Sequence, residues 1–353
     1  MNKYIMKTLI TITLFFPLAA NADWTFLKLD SLGDKFDDTI AYSINDSGQV
    51  VGKSADHAFL TGSNGGGMID LHPYSGPGSS SSSATGINNS GQVTGVWQFF
   101  EGRFPGDHKQ DTVFITGPNG VGFTDLGAFG ALASRPGGIN DSGQIAGIFV
   151  NSDVNAFLTG SNGAGMTEIN IPTSVATSLG IIGINNSGQV IGNRQYDGEL
   201  HAFITGSNGI SFTDLPELQN VTNSHALGIN NFGQVIGYST IPSGTWGFVT
   251  GPDGADITNL GGTIPFGIND SGEIVGRLGD GGFIYSHGGI TDLSLLAPVI
   301  ASNLTSITPF DINNNGQIVG YGIDELGQQV GFLLSYTPDT VFNPQTIHIP
   351  AIP

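Results

Sequence analysis

The stretch Ile44–Gly52, INDSGQVVG, decides the fold, because the chain carries seven copies of it. The copies start at Ile44, Ile87, Ile139, Ile184, Ile229, Ile268 and Ile312 and read INDSGQVVG, INNSGQVTG, INDSGQIAG, INNSGQVIG, INNFGQVIG, INDSGEIVG and INNNGQIVG. Their spacings are 43, 52, 45, 45, 39 and 44 residues. A period of about 40–45 residues with a strand-like composition is typical of the blades of a β-propeller.

Two further units follow each of the first six copies, and the seventh copy is followed by the first of them only. The first is apolar, such as HAFLTG at 57–62, and the second is usually a short unit such as MIDL at 68–71. We assign the residues up to Ile-Asn to strand a, Gln-Val-x-Gly to strand b, and the later units to strands c and d. The Asx-x-Gly turn joins a to b, and the triplets SNG, PNG and PDG predict two-residue hairpins between c and d. Four antiparallel strands per repeat make one blade.

The seventh strand d is missing downstream, and the segment FLKLDSLG at 26–33 can supply it from the other end of the chain. A strand borrowed in this way removes two exposed sheet edges. The sequence therefore predicts an all-β, seven-bladed β-propeller whose N-terminal strand completes the last blade. The domain spans 23–336, and 337–353 form a Pro-containing tail. A parallel β-solenoid is the alternative architecture.

Two positions of the repeat predict how the ring packs. Each is aligned across the seven copies, and we call such an aligned position a column. The repeated Phe of strand c is expected in the core between blades; these residues are Phe59, Phe114, Phe157, Phe203, Phe248, Phe283 and Phe332. The residue before each repeat Ile is very small in six copies, as expected where innermost strands crowd the axis. Asp311 departs from this rule, and we predict that it faces the channel.

The N-terminus indicates the compartment. Lys3 and Lys7 precede a mainly apolar stretch at 8–19, and Ala20-Asn21-Ala22 is a small-residue cleavage site. This pattern predicts a signal peptide over 1–22, cut after Ala22, with an uncleaved anchor helix as the alternative. We expect a secreted, extracellular or periplasmic protein, and no membrane span after cleavage.

Composition limits the partners and the chemistry. Of the 10 Lys and Arg, two lie in the predicted signal peptide, which leaves eight against 29 Asp and Glu. That balance argues against binding to nucleic acid and to anionic membrane surfaces. The chain has no cysteine, so disulfides and thiol chemistry are excluded. We expect a monomer.

The repeat unit followed by His57-Ala58-Phe59, or by His201-Ala202-Phe203, and then by Thr-Asp-Leu resembles the HAF-repeat family of bacterial extracellular proteins. The resemblance covers nearly all of the mature chain and implies export and a repetitive β fold. It implies no activity and no site residues. Some members end in a sorting signal with a hydrophobic span and a basic end, whereas this chain ends in IPAIP at 349–353.

Few residues suggest a metal or a catalytic motif. Asp46, Asp141 and Asp270 stand where other copies have Asn, so calcium is one interpretation of these turns. The preferred one is structural, because a tight turn needs an Asx side chain for its own geometry. The histidines show no zinc-binding spacing, and there is no nucleophile elbow or phosphate-binding loop. We therefore predict no cofactor, with Ca²⁺ as the alternative.

The repeat is interrupted at one place, and there we place the candidate site. The b–c connection of the second repeat, Trp97–Thr112, is sixteen residues long, and the preceding d–a loop, His72–Ala84, should lie on the same face. The candidate ligand-binding residues are Trp97, Phe99, Phe100, Arg103, His108, Lys109, His72 and Tyr74. Aromatic and cationic side chains suit a glycan or an envelope protein; an ordinary extended hairpin is the structural alternative.

The sequence leads to two hypotheses about function. The first is a non-enzymatic binding or surface-interaction scaffold, because the repeats contain no catalytic constellation. The second is a secreted hydrolase or lyase that acts on polysaccharides. In that case Asp107, His108 and Arg103 would act with His72 or Tyr74 as acid–base and charge-stabilising groups.

Overall fold

The computed structural model describes residues 23–33, 38–73, 79–100, 109–172, 179–219, 221, 223–242 and 244–337. The predicted signal peptide at 1–22 and the tail beyond 337 lie outside these ranges. So do three of the predicted site residues, Tyr74, Arg103 and His108, as well as Asp107.

The described chain is all-β apart from short helical turns. The N-terminal strand is β1 (Asp23–Lys28). The strands of the first three repeats are β2 (Thr39–Ile44), β3 (Val50–Ser54), β4 (His57–Thr61), β5 (Met68–Asp70), β6 (Ser79–Ile87), β7 (Val93–Phe100), β8 (Lys109–Thr116), β9 (Phe123–Gly127), β10 (Ala133–Ile139), β11 (Ile145–Val150), β12 (Val154–Leu158) and β13 (Thr167–Ile169).

The later repeats follow the same plan. Their strands are β14 (Leu179–Ile184), β15 (Val190–Tyr196), β16 (Glu199–Thr205), β17 (Phe212–Asp214), β18 (Asn223–Ile229), β19 (Val235–Ile241), β20 (Gly244–Val249), β21 (Thr258–Asn259), β22 (Thr263–Ile268), β23 (Ile274–Leu278), β24 (Gly281–Ser286), β25 (Gly289–Asp292), β26 (Ser306–Ile312), β27 (Ile318–Ile323) and β28 (Gln329–Thr337). One helix, α1 (Ala297–Ile300), precedes the last repeat.

Each repeat folds as four antiparallel strands in the order a-b-c-d, and a single parallel bridge between Leu200 and Asn223 joins two neighbouring sheets. In the last repeat β1 pairs with β28, so that sheet runs β1-β28-β27-β26. The innermost strands contact one another in sequence, and the last of them, β26, returns to β2. The predicted all-β fold of four-stranded sheets is confirmed, and its arrangement is β-propeller-like.

The repeat motif holds adjacent sheets together. The Asn of each Ile-Asn pair is 3–4% exposed, and its Nδ2 donates to the backbone carbonyl of the equivalent Asn in the next repeat. These bonds run Asn45, Asn88, Asn140, Asn185, Asn230, Asn269, Asn313 and back to Asn45, at 2.9–3.1 Å. The seven bonds form a closed circle, which we call the buried Asn ring.

Other residues of the motif support this ring. The Gln49 Oε1 accepts from Asn45 Nδ2, while its Nε2 donates to Asn119 in the c–d turn of the next repeat. Gly48 has a φ of +74°, and a Cβ there would lie 2.8 Å from the backbone nitrogen of Asn64. A Cβ on Gly52 would overlap the carbonyl oxygen of Ile40. The motif therefore recurs because its Asn, Gln and Gly positions make or permit contacts between strands or sheets.

The core matches the prediction from the Phe column. All seven repeat Phe side chains are 0% exposed. The c–d turns differ from the prediction, because they are 3₁₀ turns such as Ser63–Gly65 and Pro118–Gly120 rather than two-residue hairpins. Asn64 adopts a φ of 55° inside its turn, a conformation that Asn tolerates better than most residues.

The predicted loop at 72–84 is wrong over its second half, because β6 begins at Ser79. Serine suits this strand because the buried Ser82 Oγ accepts from the backbone N–H of Ala58, in the preceding repeat, at 2.8 Å. The predicted connection at 97–112 is likewise shorter, since β7 extends to Phe100 and β8 starts at Lys109. The residues at both ends of the insertion therefore extend strands β7 and β8.

Removing one member of the buried Asn ring should destabilise the whole domain. Asn185→Ala removes the acceptor of the backbone N–H groups of Ser187 and Gln189, and it removes one of the two donors to the Asn230 carbonyl. Because unsatisfied buried groups cost about 1–3 kcal/mol each, we expect a loss of about 3 kcal/mol in the free energy of unfolding, measured with urea. Ser187→Ala in the same turn is the control, and equal stability of the two variants would contradict this role.

Candidate active site in the axial channel

The structure describes five of the eight predicted site residues: His72, Trp97, Phe99, Phe100 and Lys109. The Trp97 ring packs edge-on against Phe123, with 5.7 Å between ring centroids, and belongs to the apolar core near Phe114. Phe99 and Phe100 end β7, and Lys109 begins β8. With Arg103, His108 and Tyr74 outside the described residues, a binding patch across 97–112 stays a prediction.

His72 lies beside His57, which was not among the predicted site residues. The two rings stack, with 4.1 Å between their centroids. The His72 Nδ1 is 2.9 Å from the Ser82 Oγ, and the His57 Nδ1 is 2.8 Å from Asp70. This cluster joins strands c and d of the first repeat to β6, the first strand of the second repeat.

The a–b turns surround one end of the channel between the innermost strands. The residue after the buried Asn forms a second, exposed ring, in which each backbone N–H donates to the next Asx side chain at 2.9–3.0 Å. A cavity of about 180 Å³ lies inside this mouth, lined by Asp46, Asp141, Asp270 and Asp311 among others.

The carboxylates of the exposed ring are already used in the fold. The Asp46 Oδ1 accepts from the Asn314 backbone, and its Oδ2 accepts from the side-chain amides of Asn89 and Asn314. The Asx side chains therefore connect neighbouring repeats. The sequence predicts a role for them only within their own turn. Among the residues with described positions, no group of three or more His, Asp or Glu could hold a metal ion.

Asp311 faces the channel, as predicted, and joins the last repeat to the first. Its Oδ2 accepts from the Ser43 hydroxyl at 2.8 Å and from the Ile44 N–H at 3.1 Å. Desolvation by burial raises the pKa of Asp311 from 3.8 to about 6, against the opposing effect of these hydrogen bonds and with a small contribution from Asp46. The two repeats that lack glycine at this column, with Ser43 and Asp311, thus pair with each other.

The other end of the channel carries different side chains in every repeat. In all seven repeats, the residue four before the repeat Ile pairs across strands with the residue nine after it. We call these pairs the variable layer: Ile40–Lys53, Ser83–Val96, Arg135–Ile148, Gly180–Asn193, His225–Tyr238, Ile264–Arg277 and Thr308–Tyr321. Because the registers are the same, the pairs lie at one height, about 15 Å from the Asx mouth.

The fifth repeat contributes a histidine whose ring nitrogens make no hydrogen bond to the residues that the structure describes. His225 is half-buried and stacks on Tyr238 at 4.4 Å between centroids. Desolvation lowers the pKa of His225 from its ordinary 6.5, so the ring is neutral at neutral pH. Within the described parts of the chain, no hydrogen bond to its ring nitrogens is formed. A neutral imidazole with free nitrogens can accept a proton.

Three cations lie in the same layer. The Lys53 Nζ is 2.6 Å from Asp56, and Arg135 binds one oxygen of Asp111 through Nε and Nη2 at 3.0 and 2.7 Å. Arg277 is exposed and makes no ion pair with the residues that the structure describes. It is therefore the cation of this layer most available to an anionic ligand.

Sequence reasoning missed this layer because it compared the lengths of the repeats. The insertion in the second repeat stands out by length, whereas the variable layer occurs at constant spacing from an invariant motif. The available signal was the composition of two columns, one with His225 and Arg135 and the other with Lys53, Arg277 and two tyrosines. Which columns face the axis depends on how the sheets close into a ring.

No protein-family model matches the sequence, and no curated protein matches it. Solved structures share the fold. An oligogalacturonate lyase in complex with manganese aligns with a TM-score of 0.58 and 10% identity, covering 90% of this chain and 96% of that one. The oligogalacturonate lyase of Vibrio parahaemolyticus gives 0.57 and 9%, covering 89% and 96%. TolB from Acinetobacter baumannii gives 0.46 and 8%, covering 85% and 65%.

These comparisons correct the expectation of a non-enzymatic scaffold. That expectation rested on the regularity of the repeats, yet two proteins described as lyases have this fold along 96% of their length. Regularity of the scaffold is therefore no reason to exclude an enzyme, and the variable layer supplies the irregular chemistry that the repeat motif lacks. At 9–10% identity the likeness itself shows the fold alone.

The manganese named for one of these structures does not fit the described residues here. The layer's only histidine is His225, and its other members include no carboxylate that could join it as a ligand. The described ranges contain no other set suited to a metal. We derive no chemical step through a metal ion.

The raised pKa of Asp311 makes stability depend on pH. Between about pH 4 and pH 6 the folded protein binds more protons at this group than the unfolded chain does, so its contribution to stability falls as the pH rises. Relative to Asp311→Asn, the wild type should lose roughly 2 kcal/mol of unfolding free energy across this window. Urea unfolding at several pH values measures the difference; parallel curves for the two proteins would exclude a buried, titrating Asp311.

Proposed function

We propose that this protein is a secreted enzyme that cleaves acidic polysaccharides, and that it is a lyase acting in the variable layer. The observation that carries this proposal is a neutral histidine, His225, stacked on Tyr238 in a layer that also presents the exposed Arg277. The likeness in fold to oligogalacturonate lyases supports the same reaction class.

The chemistry that these groups support is β-elimination on a uronate. His225 removes the proton from the ring carbon next to the carboxylate, and that electron pair forms a carbon–carbon double bond as the neighbouring glycosidic C–O bond breaks. The Tyr238 hydroxyl donates a proton to the leaving oxygen. The products are a shortened chain and an unsaturated sugar, so no oxidant, reductant or water is consumed.

The cations lower the barrier by stabilising charge. Removing the proton places negative charge on the sugar carboxylate, and a guanidinium beside that group favours the transition state. Arg277 fits this role because it lies in the repeat next to His225 and is not neutralised by a carboxylate of the described chain. The cations also give an anionic substrate a local positive site on a molecule of net charge −19.

The composition of the layer favours a lyase over a hydrolase. Glycoside hydrolysis usually needs a pair of Asp or Glu residues on the two sides of the bond. The fourteen residues of the variable layer include none. The residues two before each repeat Ile, which line the same end of the channel, include none either.

The number of blades and the cellular location belong to the same proposal. We infer seven blades, with β1 completing the last one, from the closed buried Asn ring and from the pairing of β1 with β28. Secretion rests on the signal-peptide pattern at 1–22, and the resemblance to the HAF-repeat family agrees with export. In the described part of the chain no helix is long and apolar enough to cross a membrane.

Replacing His225 should abolish elimination without unfolding the protein. We expect His225→Asn to lower kcat on polygalacturonate at least 100-fold, the usual contribution of a general base. The assay follows the ultraviolet absorbance of the unsaturated product. His287→Asn is the matched control, because His287 is exposed in the turn between β24 and β25.

The wild-type rate should also depend on pH through this group. Because the pKa of His225 lies below 6.5, kcat/KM should hold through pH 6.5 and decline at lower pH. Full activity of His225→Asn, or cleavage that yields only saturated products, would contradict the proposed mechanism.

A further inference from the structure

Four aromatic rings form a continuous wall on one side of the channel. Phe310 lies 5.6 Å from Phe266, 5.8 Å from Tyr42 and 5.6 Å from Tyr321, measured between ring centroids. They come from the sixth, seventh and first repeats, which are adjacent around the ring. We call these four residues the aromatic sector.

The aromatic sector is not part of the repeated core. The repeat Phe side chains are 0% exposed, whereas all four sector residues are half-buried. The residues two before the repeat Ile are Tyr42, Phe266 and Phe310 in the sector but Thr85 and Gly137 in the second and third repeats. The fold therefore accepts small residues at this column, and the aromatic side chains serve another purpose.

Charged groups border the sector. Lys53 lies near enough to Tyr42 for its charge to oppose the rise that burial causes in the pKa of that phenol, and Tyr321 also interacts with Tyr42. Arg277 lies in the sixth repeat, the same repeat as Phe266, and is exposed. An aromatic surface between two cations combines the contacts that a sugar ring bearing a carboxylate requires.

We propose that the aromatic sector is a binding subsite for the uronate units next to the bond that is cleaved. The apolar face of each pyranose ring stacks on Tyr321, Phe310 or Tyr42, and its carboxylate pairs with Lys53 or Arg277. This assignment rests on the proposed function for its place in the reaction. A chain held there extends into the fifth repeat, where His225 and Tyr238 lie, so the sector sets the orientation of the reacting sugar.

The test uses substitutions that the repeats themselves contain. Tyr42→Thr introduces the residue of the second repeat at this column, and Phe310→Leu introduces that of the fifth, so both should fold. Tyr196→Thr is the control, because Tyr196 is exposed at the end of β15. Calorimetric titration with a galacturonate hexamer and with cellohexaose, a neutral hexamer, measures binding, and every protein, the wild type included, carries His225→Asn in this experiment so that the acidic hexamer is not cleaved.

We expect wild type and Tyr196→Thr to bind the acidic hexamer at least tenfold more tightly than the neutral one. Each sector variant should weaken binding of the acidic hexamer about tenfold. In steady-state assays the same variants should raise KM while kcat changes less than threefold. Equal binding by the sector variants and wild type, or equal affinity for the two hexamers, would overturn the subsite.

The outcomes separate this inference from the proposed function. Binding of the acidic hexamer that depends on Tyr42 and Phe310, without any cleavage, supports the subsite and contradicts the lyase. Cleavage with an unchanged KM in both sector variants supports the lyase and overturns the subsite. Urea unfolding of each variant confirms that weaker binding does not result from loss of the fold.

Discussion

The hydrogen bond from the side-chain amide of each buried Asn to the carbonyl of the equivalent Asn in the next repeat is the constraint on which the structure depends. It fixes the height of every sheet relative to its neighbour, and it closes when Asn313 donates to Asn45. Gln49 and its counterparts keep that amide oriented, and the following Asx binds the next repeat again. The chain is acidic and has no disulfides. The polar groups near its axis that connect the repeats are either uncharged or already hydrogen-bonded.

Because the a–b turns carry the hydrogen bonds of the buried Asn ring, the side chains at the far ends of the same strands are free to vary. His225, Arg277 and the aromatic sector occupy columns at which other repeats carry Gly180, Val96 or Thr85. The backbone supports all of these side chains with an unchanged register, so irregular chemistry is built on a regular scaffold. This division explains how a protein can contain seven nearly identical motifs and still present an asymmetric site.

Much of the fold followed from the sequence alone, because hydrophobic period and turn chemistry act locally. The Phe column, the position of Asp311 and the use of an N-terminal strand by the last repeat could all be read from spacing, although that strand is Asp23–Lys28 rather than the predicted 26–33. The strand from Ser79 to Ala84 could not, because one contact that favours serine there, the bond from the Ala58 N–H to Ser82, comes from another repeat. The variable layer was hidden for a related reason, since a column faces the channel only once the sheets have closed.

A crystal structure of the His225→Asn variant with a galacturonate hexamer bound would show most directly whether the variable layer binds the substrate. We expect electron density for the sugar at the end of the channel opposite the Asx mouth, with pyranose rings on the aromatic sector and a carboxylate against Arg277. Density confined to the Asx mouth, or to the hairpin formed by β7 and β8, would contradict the assignment of function to the variable layer.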